Sequence, residues 1–184
     1  MRGMPPRIRH REGLALPPKE KVLVDGMCGR LARWLRMLGF DASYDKELSD
    51  EGLMLKAVEE GRVLVTRDVE LHERAVKAGV RSILVKSPDY TVQLALVATA
   101  LGGELEVNPD RSRCPVCNSP LRKVGKEEVK GLVPEKSFNL HDEYWMCTGC
   151  SKVYWRGAHW RGISKVLEKA REIAYRGLST EACS

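Results

Sequence analysis

No stretch of this 184-residue chain is apolar for long enough to cross a bilayer. The longest mostly apolar run, Val92 to Leu101, is broken by Gln93 and Thr99 and is about half the length a spanning helix needs. The opening MRGMPPRIRH is basic and carries Pro5 and Pro6, but it lacks an apolar core of signal-peptide length, so secretion is not expected. There is no internal repeat and no low-complexity segment, which argues against a repeat array or a disordered chain. A soluble, cytoplasmic protein is the expectation. Its 43% of hydrophobic residues can fill one ordinary domain plus a small appendage.

An even spread of charge is also lacking. Lys and Arg against Asp and Glu stand at 5 to 2 in residues 1–20, 12 to 15 in 21–110, 10 to 5 in 111–161 and 4 to 3 in 162–184, for a net charge of +6. An acidic middle between basic flanks suits a carboxylate-bearing site whose polyanionic ligand is gripped by neighbouring positive surface. A solvated surface with a basic bias would give the same count.

What is present is organised around Lys21 to Gly39, KVLVDGMCGRLARWLRMLG. Val22, Leu23 and Val24 run unbroken into Asp25 and Gly26, the pattern of a strand in a parallel sheet covered on both faces. Gly29 is read as permitting a turn. Leu31, Trp34, Leu35 and Leu38 form the stripe of an amphipathic helix ending at Gly39, with Arg30, Arg33 and Arg36 off the stripe. Asp25 is thereby placed at the carboxyl edge of a sheet, where open α/β folds put their sites.

The pattern then repeats. Phe40 to Tyr44 reads as a second strand. Ser49 or Asp50 can cap a helix that turns Leu53, Leu55, Ala57 and Val58 inward and stops at Gly61. RVLVTRD is a third strand ending in Asp68, followed by a helix from Val69 to Ala78. SILVK is a fourth strand and Thr91 to Leu101 a fourth helix. Strands alternating with helices of this length predict a parallel sheet with right-handed crossovers. After Gly102, Gly103, Asn108 and Pro109 a second unit begins, in which EYWM and KVYW have strand character. Gly162 to Gly177 reads as a closing helix with Ile163, Val166, Leu167, Ala170 and Ile173 on one face.

CPVC (Cys114, Cys117) and CTGC (Cys147, Cys150) are two knuckles beside the turn residues Pro115 and Gly149. They can present four thiolates as a closed tetrahedral zinc site. Two disulfides or redox pairs are the alternatives, and a reducing compartment disfavours them. A closed site has no open position for substrate, so the zinc is read as structural. Cys28 is read as a small buried thiol and Cys183 as a tail thiol.

In a sheet of order 2-1-3-4 the strands ending in Asp25 and Asp68 are neighbours. Facing carboxylates favour a Mg²⁺ or Mn²⁺ ion between them, and Asp50 and Glu70 are candidates to complete the shell. Asp50 and Asp68 can equally be helix caps. Arg30, Arg33, Arg36 and Arg67 are placed around this edge as phosphate contacts, unless they form a solvated face. VYWRGAHWRG interleaves Trp155, His159 and Trp160 with Arg156 and Arg161, which can stack bases and hold phosphates. The alternative reading of Trp155 is that it does no more than cover the zinc hairpin.

VDGMCGRLARWLRMLGFD, GRVLVTRD, RCPVCN, CTGC and VYWRGAHW together resemble, in this order and over roughly residues 21–161, the Mut-seven C-terminal RNase domain family. Cys28 departs from the apolar residue expected at its position. The resemblance implies an α/β fold of PIN-like nuclease type, a three-layer parallel sheet of about four strands with a zinc ribbon. The corresponding division is a flexible basic tail (1–20), a PIN-like nuclease domain (21–110), a zinc ribbon (111–161) and a C-terminal helix and tail (162–184). It also implies a metal-dependent ribonuclease whose acids include Asp25 and Asp68, with Asp50 similar to an acid at the helix start in related sequences. Two readings from other classes stand beside it: a non-catalytic RNA- or ribosome-binding adaptor, and a phospho-receiver in which Lys86 and Ser87 follow the fourth strand.

Overall fold

The structure, a computed structural model, describes residues 19–181. The expected tail therefore falls outside the described residues as far as position 18, as does Cys183. Lys19 and Glu20 are tied to the body, Lys19 donating to the Leu38 carbonyl and Glu20 pairing with Arg81 at 2.5 Å.

Four strands, β1 (Lys21–Asp25), β2 (Asp41–Asp45), β3 (Val63–Thr66) and β4 (Ser82–Leu84), form one parallel sheet in the order β2-β1-β3-β4. This is the expected order. Successive side chains of a strand face opposite ways, so β1 feeds two cores. Val22 and Val24 meet α1 (Gly29–Met37) and α4 (Tyr90–Ala100), while Leu23 meets α2 (Asp50–Glu59) and α3 (Val69–Lys77). Val22, Leu23, Val24, Leu64 and Val65 are all fully buried, as a sheet covered by helices on both faces requires.

The stripe of α1 packs as read, with Leu31 and Leu35 fully buried. The inward set of α2 needs correction. Leu53 and Ala57 are buried, but Leu55 and Val58 are 59% and 65% exposed, because only positions one turn apart share the face toward the sheet. Gly29 also has another role than the one expected. Its backbone is ordinary right-handed helix, with φ −58°, and a Cβ there would stand 2.8 Å from the Tyr44 ring. The glycine permits close packing, not a turn.

The second unit is an antiparallel sheet of β5 (Leu121–Val124), β6 (Tyr144–Cys147) and β7 (Val153–Tyr154), with α5 (Glu135–Leu140) in the long β5–β6 connection. Its small core holds Val124, Val129, Val133 and Tyr144. The closing helix α6 (Trp160–Glu181) is longer than expected at both ends and packs Leu167 and Ala170 into the α1–α4 core.

The two units meet at the amino end of β2. Asn118 accepts from the Ala42 amide and donates to Asp41, while Arg113 lies 3.6 Å from the Asp41 carboxylate. Arg36 reaches across the same seam to the carbonyls of Ala42 (2.8 Å), Pro115 and Val116 (3.1 Å each). Among the described residues no helix is long and apolar enough to cross a membrane.

Candidate active site and metal centre

β1 and β3 lie side by side and end level, which brings Asp25 and Asp68 together through one hydroxyl. Thr66 Oγ1 donates to Asp25 Oδ2 at 2.7 Å and accepts from the Asp68 amide at 2.9 Å. Asp68 then caps α3, its Oδ1 accepting from the amides of Glu70 (2.8 Å) and Leu71 (3.1 Å). The cap fixes the carboxyl group's position and leaves Oδ2 outside those two bonds.

A third acid stands at this edge that the sequence reading passed over. Asp45 is the register partner of Asp25 across β1 and β2, so the two side chains leave the sheet on the same face. A signal for it exists in the sequence, since FDASYD closes a strand on an acid just as KVLVD does. Among the described residues no Lys, Arg or His lies within 4.0 Å of the carboxylates of Asp25, Asp45 or Asp68. The other strand-proximal acids are each countered: Asp41 by Arg62 at 2.9 Å, Asp50 by Arg74 at 3.1 Å, Asp89 by Lys169 at 2.8 Å.

The remaining expected acids are placed differently. Asp50 opens α2, but Ser49 is its cap, and the Asp50 carboxylate is turned to Arg74 of α3. Glu70 is exposed in the first turn of α3, its amide bound to Asp68.

Of the arginines, Arg30 stacks over Tyr90, 5.0 Å from the ring centroid, and Tyr90 stacks on Trp34 at 6.2 Å. Tyr90 opens α4, so this pile stands at the same carboxyl edge. No sequence pattern marks Tyr90, because only the fold brings the starts of α1 and α4 together. Arg33 is exposed. Arg67 is half-buried, and its Nε is buried with no hydrogen-bond partner among the described residues.

Arg36 is a correction: it is 7% exposed and belongs to the seam at the opposite end of the sheet, not to the acid edge. Burial draws its pKa below the usual range, and the charges of Cys114 and Cys117 oppose that shift. Cys28 is buried beneath the edge as expected. Burial, with the Asp25 carboxylate adding to it, pushes its thiol up to about 11, so it is neutral at pH 7.

The four knuckle cysteines gather into one cluster, with all ligand sulfurs within 4.8 Å of one another. Cys117 and Cys147 sulfurs are 3.3 Å apart and those of Cys114 and Cys150 3.7 Å. Tetrahedral zinc with bonds of about 2.3 Å sets sulfurs about 3.8 Å apart, so the cluster fits a metal ion such as zinc. The amides of Gly149 and Cys150 point at Cys147 Sγ from 3.3 and 3.4 Å. The Ser119 amide and hydroxyl draw the Cys117 thiol down, while burial and its hydrogen bonds with the other three cysteines push the Cys150 thiol up, as crowded sulfurs without a cation cannot all be thiolates. By contrast, no trio of acids converges to within 4.8 Å among the described residues. At the acid edge the donor set is oxygen alone, which suits Mg²⁺ or Mn²⁺ held by one or two carboxylates with waters.

The aromatic segment of the second unit divides between surface and core. Arg156 is exposed with its guanidinium over Trp160 (5.2 Å) and Trp145 (5.8 Å). Trp155 packs on the small core beside Tyr144, and His159 and Arg161 are exposed.

Compared with known proteins, residues 20–167 match a family model described as the Mut7-C RNAse domain. No curated protein and no solved structure matches the chain.

Proposed function

Because the chain belongs to the Mut7-C RNAse domain family, and so has a ribonuclease-like role, we propose that it cleaves RNA phosphodiesters at the carboxyl edge where Asp25 and Asp68 stand. The observation that carries this reading is the missing counter-charge. Asp41, Asp50 and Asp89 each have a basic partner, whereas the acids sharing the edge of β1, β2 and β3 have none among the described residues. Neighbouring carboxylates without a cation repel one another, and a divalent ion relieves that repulsion.

Asp25 and Asp68 would hold Mg²⁺ or Mn²⁺, with Asp45 beside Asp25. The bound ion supplies a more acidic water and an electrophile for the phosphate. Thr66 holds Asp25 in one orientation, and the α3 cap does the same for Asp68. Asp50 is kept by Arg74 and would join only by leaving that pair; Glu70 would act from the exposed first turn of α3. Arg30, Arg33 and Arg67 bind phosphates of the strand near the edge. Trp155, Arg156, His159, Trp160 and Arg161 hold a more distant part of it, on a module whose zinc is structural.

The test is cleavage of labelled single-stranded RNA with added Mn²⁺, comparing wild type with Asp25→Asn and Asp68→Asn. Asn caps helices as well as Asp does, so both variants should fold. Each should lose turnover by orders of magnitude while RNA binding persists, and the double variant should lose little more. A folded wild-type protein that binds varied RNAs and cleaves none would turn the reading to the adaptor, which the cation–aromatic surface alone could serve.

A further inference from the structure

The cysteine module contains a hollow that the acid edge does not use. A cavity of about 530 Å³ opens between α5 and the turn that carries Trp155 and His159, within the size range of ligand sites. Trp155, Tyr154 and His159 wall one side, and Ser137, Leu140 and His141 the other. Leu140, 67% exposed, stands on its rim. A smaller cavity of about 100 Å³ adjoins it and shares Tyr154, Trp155, His159 and Ile163.

The charge around this hollow is unlike that of the rest of the module. Arg111, Arg113, Arg122, Lys123, Lys126 and Lys130 are all in ion pairs. Lys136, Lys152, Arg156 and Arg161 have no carboxylate within 4.0 Å among the described residues. Lys136 lines the hollow, and Lys152 and Arg161 bracket the segment that builds its aromatic wall. Lys136 stands in the wall of the hollow, and Arg156 lies over Trp160, which lines the adjoining smaller cavity. That arrangement is complementary to a ligand with a flat apolar ring and an anionic backbone.

We propose that this hollow takes one unstacked base of a single-stranded RNA, with Trp155 and His159 offering ring surface and Lys136 and Arg156 holding the adjoining phosphates. The proposal rests on the RNA reading above and deepens it. A base in a duplex leaves its stack only at a cost, so the hollow selects unpaired strand. Its module is joined to the body at the far end of α1, whose nine residues measure about 13 Å. The selected base therefore lies away from the bond that is cut.

Binding is measured with no divalent ion added, using one labelled RNA oligonucleotide as a single strand and annealed to its complement. Wild type should prefer the single strand. Ser137→Trp, which fills the hollow from α5, should weaken single-strand binding about tenfold, the equivalent of one lost base stack, and leave duplex binding and the salt slope as they were. Lys136→Gln, on the exposed face, should lower the salt slope by about one. The pocket is refuted if Ser137→Trp binds single strands as wild type does, as it would if the hollow held a peptide, or if wild type shows no strand preference. A protein that cuts no RNA yet loses single-strand binding in Ser137→Trp refutes the nuclease reading alone; one that cuts RNA with Ser137→Trp unaltered in binding refutes the pocket alone.

Discussion

Thr66 Oγ1 lies 2.7 Å from Asp25 Oδ2 and at the same time accepts the amide of Asp68. A fully buried hydroxyl thus joins the Asp25 carboxylate to the Asp68 backbone and holds Asp25 in one orientation, while the α3 cap holds the Asp68 carboxylate. For an acid that holds a metal, the role proposed above for Asp25, an outer partner of this kind is worth about 10- to 100-fold in affinity or rate.

Thr66→Val keeps the shape and removes the hydroxyl. Turnover of RNA should fall about 10- to 100-fold with RNA affinity unchanged, and Thr66→Ser should restore most of it. Equal turnover in Thr66→Val and wild type would show that Asp25 needs no such support.

Arg36 holds the cysteine module to the body through carbonyls on both sides of the seam. Arg36→Met should fill the space while leaving those buried carbonyls without a donor, a loss of about 2–4 kcal/mol. Denaturant unfolding should also lose its single transition, the cysteine module coming away first. One unshifted transition would mean that Asp41 and Asn118 suffice.

Acid should act on the same seam. Burial alone would raise the Asp41 pKa, but hydrogen bonds from Arg62 and Asn118 outweigh it and hold the carboxyl below the usual range. A depressed carboxyl contributes stability that is complete above its unfolded value of about 3.9 and is lost as pH falls through the folded one. Asp41→Asn should be less stable than wild type by about 1–3 kcal/mol at pH 7. That gap should close as pH drops below about 4. A gap independent of pH would assign the difference to packing.

Cys114→Ser or Cys147→Ser removes a ligand from the cysteine cluster. A closed thiolate site contributes folding free energy to its own module. Both variants should lose bound zinc and amide protection over residues 111–157, while the parallel sheet keeps its protection and residual cleavage remains. RNA affinity should fall, since the basic residues of that segment no longer form one surface. Normal affinity with all cleavage gone would place zinc in the catalytic centre.

Much of this architecture is readable in the sequence. Runs such as VLV and VLVT between helical stripes specify buried parallel strands, and the two knuckles specify a four-sulfur cluster, because period and spacing are properties of the chain itself. The places of Asp25 and Asp68 at the ends of neighbouring strands are readable for the same reason, each following an apolar run. What a side chain meets is another matter, decided by residues distant in sequence. Arg30 and Arg36 look alike as off-stripe arginines one and two turns along a helix, yet one stacks on Tyr90 and the other is buried against Pro115 and Val116. Asp50 and Asp68 both read as acids at a helix start; only the packing of α2 beside α3 gives Arg74 to the first. Asp45 was available to the same strand-ending rule and was passed over, and its pairing with Asp25 exists only in the sheet register. The sequence determined which segments are strands, helices and knuckles, since those follow from local pattern. The tertiary structure decided which acids stand without a counter-ion, since charge pairing depends on contacts between elements that the chain order does not encode.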